Sequence, residues 1–587
     1  MPPYSEPESF LGVDASLSGR RWVGPTAATA RHAEAITQSN DVPNLVASVL
    51  ARSGIAPELV ADYLAPTLRS LLPDPMTLKD MDAAADRILA AQESRQRIAI
   101  FADYDVDGGA SATLLIDWLG QMGQTATLYV PDRIDEGYGP NPTAMAALAA
   151  NHDLIICVDC GTLSHDAIAA ACAADVVILD HHLGGETLPD AMAVVNPNRQ
   201  DESGDLAHLC AAAVVFLVLV DLNRRLREAG KRGPDLMAML DLVALATIAD
   251  VAPLTGVNRA FVRQGLVVMA RRGRPGLVAL SDVARLDTAP TAYHLGYVLG
   301  PRINAGGRVG KADMGARCLS ARDPHEARSL AERLDSYNTE RRDIESAVRD
   351  NALAQAQDRD GAGPLAWAAG DGWHPGVVGI VAARLKEATN LPSVVIGIED
   401  GIGKGSARSV PGVDLGHAIQ RLAAEDLLVK GGGHKMAAGL TVQADRIPDA
   451  MARLSELLAK GGAVVAGPSD LRIDAALMPG AATVELIEQL ETAGPFGQAA
   501  PPPRIALPDV QISFAKIVGQ GHLKLTLSDG LSARLDAIAF NAADSPMGQK
   551  MLAHGGARFH VAGKLDLNTF RGRTTAQLRL DDAALAD

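Results

Sequence analysis

Residues Arg97–Gly109 read RIAIFADYDVDGG, and this stretch decides the fold class. An apolar run of strand length ends in three aspartates, Asp103, Asp105 and Asp107, and two glycines open the helical pattern that follows. Residues two apart in an extended segment point to the same side, so the three carboxylates share one side of the chain. Like charges this close repel each other unless cations neutralise them. The stretch therefore predicts a metal-binding turn between a strand and a helix.

A solvated turn and a calcium loop of the EF-hand type are the alternative interpretations of these aspartates. The EF-hand loop requires a bidentate glutamate six residues after its glycine. That position holds Leu114, so the EF-hand pattern is absent. The solvated turn stays open on this stretch alone.

Three further apolar runs repeat the same alternation along the chain. Each run ends in polar or acidic residues and precedes an alanine-rich helical segment: Thr125–Asp132, Asp153–Gly161 and Asp175–His182. This alternation predicts a parallel α/β sheet, whose functional groups gather at the carboxyl ends of its strands.

Acidic and imidazole side chains follow several of these predicted elements. Asp159 ends one strand, Asp180, His181 and His182 end the next, and Asp250 ends a later apolar stretch. A single aspartate in such a position is more often a helix cap, but here several ends meet in one α/β unit. Hard oxygen ligands with one or two imidazoles suit Mn²⁺ or Mg²⁺. Two such ions about 3.5–4 Å apart would support phosphoryl transfer, so the pattern predicts a two-metal phosphoesterase.

Composition bounds the class of protein. The chain has 587 residues, which suggests three or four domains, and 48% apolar residues, which excludes global disorder. Five cysteines without a C-x-x-C pair argue against a disulfide framework and a cysteine-built zinc site. The acidic N-terminus and a longest nearly unbroken apolar run of 12 residues, Leu209–Val220, indicate no export signal and no membrane span. We therefore expect a cytoplasmic protein.

The net charge of −16 is unusual for a nucleic-acid-binding protein, because phosphate attraction favours basic surfaces. Acidic clusters that hold metal ions contribute to this total, and a basic groove can lie on an acidic body. The charge is therefore weak evidence against a nucleic-acid substrate.

Five segments follow from the changes in pattern along the chain. Apolar residues recur at helical spacing in the third, and polar and apolar residues alternate in the last. The predicted segments are a loosely ordered leader whose Trp22 docks on the body (1–40), a catalytic α/β domain with an N-terminal helical segment (41–323), one long connecting helix (324–358), a second α/β domain (359–465) and a small β-barrel (466–587).

The motifs D-x-D-x-D-G, V-D-C-G, D-H-H and A-D-V-A-P-L, in this order and spacing, resemble the DHH phosphoesterase superfamily. Tyr129–Asn141 and Gly300–Gly310 are similar to its RecJ family of single-strand-specific DNA exonucleases. The resemblance implies two α/β domains, DHH and DHHA1, joined by a long helix, with a C-terminal OB-like barrel. The DHHA1 resemblance rests on Trp373–Leu385, Gly403–Ser409 and Gly431–Gly439.

By this resemblance, six residues would bind two divalent ions, Mn²⁺ or Mg²⁺. Asp159 is expected to bridge the ions. Asp103 is expected to be a ligand or an organiser of the site, because Phe101 stands where other branches of the superfamily place a histidine. Asp180 is expected to orient His181 through its other ring nitrogen. The expected ligands are Asp103, Asp105, Asp107, Asp159, His181 and Asp250.

The resemblance also implies residues that act on the substrate. Arginines beside glycine and asparagine in loops over a metal site favour phosphate contacts, although a single loop arginine is usually a surface salt bridge. The three consecutive glycines Gly431–Gly433, taken by themselves, are more simply interpreted as a flexible turn. The expected catalytic residues are His182, which would face the scissile phosphate, Asp180, Arg302 and Arg308. The expected DNA contacts are Arg133, Asn304, His374, Ser406, Arg408 and His434.

The barrel could bind a single strand through basic and aromatic side chains, although alternating phenylalanines are more often barrel core. The candidates are Lys516, Lys524, Lys564, Arg571, Arg573, Phe514, Phe540, Phe559 and Phe570.

The leading hypothesis is a metal-dependent exonuclease that degrades single-stranded DNA 5′ to 3′ into 5′-mononucleotides in DNA repair and recombination. The polarity rests on the resemblance alone. Expected partners are single-stranded DNA, a single-strand-binding protein and a helicase. The protein is expected to be a monomer and to bind no membrane. A phosphodiesterase for very short oligonucleotides or cyclic dinucleotides is the alternative, but it needs neither the barrel nor the long helix. A catalytically inactive scaffold is a further alternative, and the intact carboxylates and histidine pair argue against it.

Overall fold

The computed structural model describes residues 9–132, 136–137, 139–359, 363–460, 470–519, 521–530, 532–570 and 572–586. The chain forms two compact units. One contains residues 68–465, and the other combines residues 1–67 with residues 466–587.

Strands and α-helices alternate through most of the described chain. The strands are β1 (Trp22–Val23), β2 (Ile98–Ala102), β3 (Ala126–Tyr129), β4 (Leu154–Val158), β5 (Asp175–Leu179), β6 (Ala193–Val195), β7 (Ala366–Asp371), β8 (Ser393–Glu399), β9 (Ile402–Arg408), β10 (Lys430–His434), β11 (Ala437–Gln443), β12 (Leu471–Arg472), β13 (Ala475–Ala476), β14 (Ile505–Val518), β15 (His522–Ser528), β16 (Arg534–Ala539), β17 (Arg558–Phe570) and β18 (Arg573–Leu585). The helices are α1 (Ala27–Ser39), α2 (Asn44–Arg52), α3 (Val60–Leu64), α4 (Leu68–Leu71), α5 (Met81–Glu93), α6 (Val106–Gln121), α7 (Pro142–Ala149), α8 (His165–Ala170), α9 (Ala211–Glu228), α10 (Leu240–Ala249), α11 (Gly256–Ala270), α12 (Pro275–Val283), α13 (Ala292–His294), α14 (Gly300–Val309), α15 (Met314–Ser320), α16 (Pro324–Asp358), α17 (Pro375–Thr389), α18 (Leu415–Ala424), α19 (Ile447–Lys460), α20 (Val484–Glu491) and α21 (Pro546–Leu552).

A parallel sheet of order β3-β2-β4-β5-β6 lies at the centre of the first α/β domain. Its inner strands are buried on both faces: Ile98 and Ile100 of β2 belong to one apolar core, while Ala99 and Phe101 belong to another. This confirms the predicted parallel α/β fold. Because β2, β4 and β5 are neighbours, their carboxyl ends lie side by side at one edge of the sheet.

The predicted connecting helix is α16, which spans the 35 residues Pro324–Asp358. Asp323 caps it by accepting a hydrogen bond from the Glu326 N–H at 3.0 Å, and Pro324 occupies the first turn, where its missing N–H costs nothing.

The second α/β domain follows, with a sheet of order β10-β11-β9-β8-β7. Helix α17 packs on one face of this sheet, where Val377 and Val381 meet Val395. Helices α18 and α19 pack on the other face, around Val394 and Ile396.

The other unit is built around a closed five-stranded barrel of order β14-β15-β16-β18-β17, which closes through β14 and β17. The strand β13 extends it beside β14. The barrel confirms the expected OB-like domain. Phe559 is buried in its core, so the expectation that this ring stacks on DNA is wrong. Phe570, for which the structure describes only the backbone, and Arg571 lie outside the described side chains.

Residues 9–67 differ from the expected leader and from the expected attachment to the first α/β domain. The strand β1 pairs in parallel with β12 near the barrel, and Ile36 and Leu50 of α1 and α2 join the apolar core of the barrel. The helices bury apolar faces that the amphipathic pattern alone could not assign to a partner. This segment therefore belongs to the barrel unit. Among the described residues, no helix is both long and apolar enough to cross a membrane.

Trp22 offers a test of this ordered segment. Its indole N–H donates to the buried Asp582 carboxylate at 3.0 Å. The variant Trp22→Phe removes that donor, so we expect the barrel unit to lose about 1–3 kcal/mol of its free energy of unfolding, measured by urea denaturation and circular dichroism. Adding Asp582→Ala should recover part of the loss. An unchanged unfolding midpoint in Trp22→Phe would mean that the segment is a loose leader after all.

Candidate metal centre

The turn after β2 places its aspartates in distinct environments. Asp103 is 2% exposed and follows the strand directly. Asp105 caps α6, because its Oδ1 accepts hydrogen bonds from the N–H groups of Asp107 at 2.8 Å and Gly108 at 3.1 Å. A Cβ atom at Gly108 would lie 2.5 Å from the Asp103 carbonyl oxygen, so only glycine allows the helix to begin this close to the strand end.

Asp107 connects this turn to a distant helix. Its Oδ2 accepts the Ala211 N–H at 2.7 Å, and its Oδ1 accepts the Ala212 N–H at 2.8 Å. These are amide groups of the first turn of α9, which lack partners inside that helix. The N-terminus of α9 therefore stabilises the buried charge of Asp107.

Asp159 follows β4 with a backbone φ of 60°, a left-handed conformation that is uncommon for residues other than glycine and is often found at functional sites. Its Oδ1 lies 3.3 Å from the His181 Nε2 and 3.8 Å from the His182 Nδ1. Asp159 is therefore close to both histidines that follow β5.

The His181 imidazole lies among three carboxylates. Besides Asp159, its Nε2 is 3.7 Å from the Asp107 Oδ2, and its Nδ1 is 3.8 Å from the Asp250 Oδ2 at the end of α10. The four side chains come from different elements, so only the folded sheet edge brings them together.

All six residues that the sequence indicated as metal ligands belong to compact groups of possible ligand atoms. Within each group these atoms lie within 4.8 Å of one another. Asp159 and His181 each belong to two of these groups, and the expectation that Asp159 bridges two ions stays a prediction. The groups are Asp103, Asp105 and Asp159; Asp107, His181 and Asp250; and Asp159, His181 and His182.

The electrostatics of the cluster favour bound cations. Burial and neighbouring carboxylates raise the pKa of Asp159 well above its usual range. Burial also raises the pKa of Asp250 to about 8, with Asp107 and Asp105 adding to the shift. Carboxylates crowded in this way cannot all ionise without added positive charge. Carboxylate oxygens with imidazole nitrogen are the donors that Mn²⁺ and Mg²⁺ accept, so the residues present fit divalent ions.

Asp180 orients His182 rather than His181, so the predicted pairing is wrong. The Asp180 Oδ1 lies 2.8 Å from the His182 Nδ1, while it contacts His181 only through the backbone N–H at 2.7 Å. Burial lowers the pKa of His182, but the hydrogen bond and charge of Asp180 outweigh burial and raise the pKa to about 9. His182 therefore keeps a proton near neutral pH.

A buried polar network behind Asp180 was missed in the sequence. Thr162 donates its hydroxyl to the Asp180 Oδ2 at 2.6 Å and accepts from the Asn196 amide at 2.9 Å. Asn196 also donates to the His182 carbonyl at 2.8 Å, and Asn198 donates to the His181 carbonyl at 2.6 Å. The signal was the N-P-N run that directly follows β6, the next strand of the sheet.

Arg302 and Arg308 lie in the helix α14, so the expectation that they stand in loops is wrong, and their expected phosphate contacts stay predictions. The Arg302 Nε pairs with the Asp335 Oδ1 of α16 at 2.8 Å, and Arg308 donates to the Gly376 carbonyl at 3.2 Å. Asn304 accepts the Val106 N–H at 2.9 Å, so it supports the aspartate turn. Arg133 lies outside the described residues.

The expected DNA contacts of the second α/β domain gather around β9 and α17. His374 caps α17, because its Nδ1 accepts the Gly376 N–H at 3.0 Å. Ser406 accepts a hydrogen bond from the Arg408 guanidinium at 3.0 Å. Arg408 of β9 pairs with Ala437 of β11, which pairs with His434 of β10, so Ser406, Arg408 and His434 share one face of the sheet.

The raised pKa of Asp250 predicts coupling between protons and metal. Its carboxyl is protonated below about pH 8 without metal, so binding Mn²⁺ must release protons and should strengthen as pH rises toward 8. The folded protein also holds more protons than the unfolded chain between the ordinary pKa of 3.8 and about 8, so metal-free stability should fall as pH rises through that window. Calorimetric Mn²⁺ titration in buffers of different ionisation enthalpy measures the release, and Asp250→Asn should reduce it. Metal affinity that does not change with pH would contradict the coupling.

Three family models each match a separate stretch of the chain. The DHH family N-terminal domain matches residues 97–247, the DHHA1 domain matches residues 362–460, and the RecJ OB domain matches residues 473–582.

Whole proteins and solved structures agree with these matches. The single-stranded-DNA-specific exonuclease RecJ of Dickeya dadantii is 36% identical over 92% of this chain and 96% of its own length, and that of Escherichia coli is 34% identical over the same shares. The structure of RecJ from Thermus thermophilus with Mn²⁺ superposes with a TM-score of 0.78 and 28% identity, covering 96% of this chain and 79% of that one. The same protein with Mg²⁺ gives a TM-score of 0.71. Since the similarity to RecJ extends over all three domains, the chain belongs to the RecJ family of single-stranded-DNA-specific exonucleases.

Proposed function

We propose that this exonuclease hydrolyses single-stranded DNA from its 5′ end, releases 5′-mononucleotides with two divalent ions, Mn²⁺ or Mg²⁺, and acts in DNA repair and recombination. The observation that carries the proposal is the cluster of Asp103, Asp105, Asp107, Asp159 and Asp250 around His181 at the edge of the parallel sheet. The partner proteins, the monomeric state and the cytoplasmic location stay predictions from the resemblance.

The ligand groups suggest how the two ions are shared. Asp103 and Asp105 would hold one ion and Asp107, His181 and Asp250 the other, with Asp159 between them. When bound, such ions activate water and stabilise the oxygen that leaves the phosphodiester. Asp107 is already fixed by the amides of α9, so its carboxylate needs little rearrangement to bind.

His182 would contact the scissile phosphate. Its Nδ1 contacts the Asp180 Oδ1 at 2.8 Å, and 44% of the side chain is exposed. Because the pKa is raised to about 9, the Nε2 carries a proton that it can donate to a phosphate oxygen. Asp180, held by Thr162, keeps the ring in this orientation.

The N-terminus of α17 would bind the terminal 5′ phosphate together with Ser406, Arg408 and His434. The positive end of a helix dipole attracts anions, and His374 caps the first free amide of this helix, Gly376. A Cβ at Gly376 would lie 2.2 Å from the Arg308 carbonyl oxygen, so glycine lets α14 approach this helix end closely. A strand end bound near α17, with the adjacent phosphodiester at the metal centre, would account for cleavage from the 5′ end.

The barrel would bind the single strand through a row of basic side chains. Lys516, Lys524, Ile538, Arg579 and Lys564 pair in register across five neighbouring strands, so their side chains form one row on one face. Four of the five are basic, which suits a phosphate backbone.

Two aromatic rings accompany this row. Phe514 and Phe540 are 46% and 51% exposed, with the Lys516 ammonium over the first ring and the Arg579 guanidinium over the second. Exposed rings beside cations suit base stacking along a single strand.

Digestion of end-labelled single strands tests the proposed polarity. With Mn²⁺, a 5′ label should appear in mononucleotides at once, whereas a 3′ label should stay in long products until late. Asp250→Asn should lower the rate at least about 100-fold, and Asp282→Asn on the surface of α12 should not. Early release of a 3′ label would overturn the polarity, and full activity in Asp250→Asn would overturn the ligand assignment.

Thr162→Val tests the orientation of His182. Valine keeps the shape but removes the hydroxyl that binds Asp180 and Asn196. We expect kcat to fall about 10–100-fold while the Mn²⁺ concentration for half-maximal activity stays unchanged. Thr162→Ser keeps the hydroxyl and should retain most activity. If Thr162→Val keeps the kcat of the natural protein, the network does not position His182.

A further inference from the structure

Two exposed tyrosines form a stacked pair in the first α/β domain. The rings of Tyr293 and Tyr297 lie 5.0 Å apart at an interplanar angle of 26°. Their residues are 47% and 74% exposed. Tyr297 lies in a π-helical turn, Leu295–Leu299, and such turns often occur at functional sites. An aromatic surface this accessible is suited to a ligand that covers it.

The tyrosine turn rests on the helix that ends at the metal centre. A Cβ at Gly296 would lie 3.2 Å from the Ile248 Cγ2, and one at Gly300 would lie 3.5 Å from the Ala249 Cβ. Ile248 and Ala249 immediately precede Asp250 in α10. The turn that carries Tyr297 therefore packs on the two residues that precede Asp250.

Arg384 of α17 lies near enough to Tyr297 to interact with it electrostatically. Burial lowers the pKa of Arg384, but the hydrogen bond and charge of Glu387 and the charge of Glu345 outweigh burial and raise it.

We propose that Tyr293 and Tyr297 form a stacking platform for the bases of the strand held at the metal centre. The proposal rests on the proposed function. Every base has a π-face, so such a platform accepts any sequence. The bases must be unpaired and splayed to reach it, which gives the site a physical reason to select single strands over duplexes.

Binding of oligodeoxynucleotides to the full-length protein tests the platform. The probes are 5′-phosphorylated single strands in which a short block of abasic positions is moved along the chain, and EDTA prevents cleavage. With the natural protein, one block position should weaken binding about tenfold, because stacking is lost while the phosphates remain. The double variant Tyr293→Ala with Tyr297→Ala should bind the intact strand about tenfold more weakly than the natural protein does. It should lose no further affinity when the abasic block is moved to that position.

Matched variants separate stacking from general damage. Tyr293→Phe with Tyr297→Trp keeps two rings and should bind as the natural protein does, and so should Met237→Ala, which changes an exposed apolar side chain elsewhere in this domain. All variants should hydrolyse p-nitrophenyl thymidine 5′-phosphate with Mn²⁺ as the natural protein does, because that substrate does not reach the tyrosines.

The outcomes distinguish this proposal from the proposed function. If the natural protein neither binds nor cuts single strands, the proposed function fails, and the platform fails with it. If the natural protein cuts single strands but the tyrosine variants bind every abasic probe with the affinity of the natural protein, only the stacking platform is wrong. That result is expected if the tyrosines bind a protein partner instead of DNA. Should the alanine variants not fold, photocrosslinking of the natural protein to 5-iodouracil strands decides. Crosslinks at Tyr293 or Tyr297 support the platform, and crosslinks only elsewhere overturn it.

Discussion

Mutual repulsion among buried carboxylates is the constraint on which the rest of this structure depends. Asp103, Asp107 and Asp159 are almost wholly buried, and Asp105 and Asp250 are close to them. Burial, together with the charges of the neighbouring carboxylates, raises the pKa of Asp159 and of Asp250 in the absence of cations. The fold must hold these groups together without metal and still present them to metal.

Neighbouring elements meet this constraint with specific hydrogen bonds. The amides of α9 bind Asp107, and the side chain of Asn304 binds the backbone of the aspartate turn. Thr162 and the His182 ring hold Asp180, so burial, which would raise the pKa of Asp180, is outweighed and the pKa lies below its usual range. The charges at this sheet edge are therefore positioned by groups that do not themselves bind metal.

The second α/β domain contributes through direct contact with the first. Arg308 of α14 donates to the carbonyl of Gly376 in the first turn of α17, where the terminal phosphate is proposed to bind. This hydrogen bond thus connects Arg308, an expected catalytic residue, with the helix end that is proposed to bind the end of the strand. The aromatic pair at Tyr293 and Tyr297 is connected to the same site, since its turn packs on the last residues of α10.

The sequence alone determined the parallel sheet, the length of α16, the barrel and the set of ligand candidates, because these follow from local periodicity and from the polar residues that end each strand. Only the tertiary structure decided which histidine Asp180 holds, that Asn304 supports the aspartate turn, that Phe559 is core and that residues 9–67 belong with the barrel. Each of these depends on contacts between residues far apart in the chain or on the rotation of one side chain. Periodicity reports which face of an element is buried, but it does not report what buries that face.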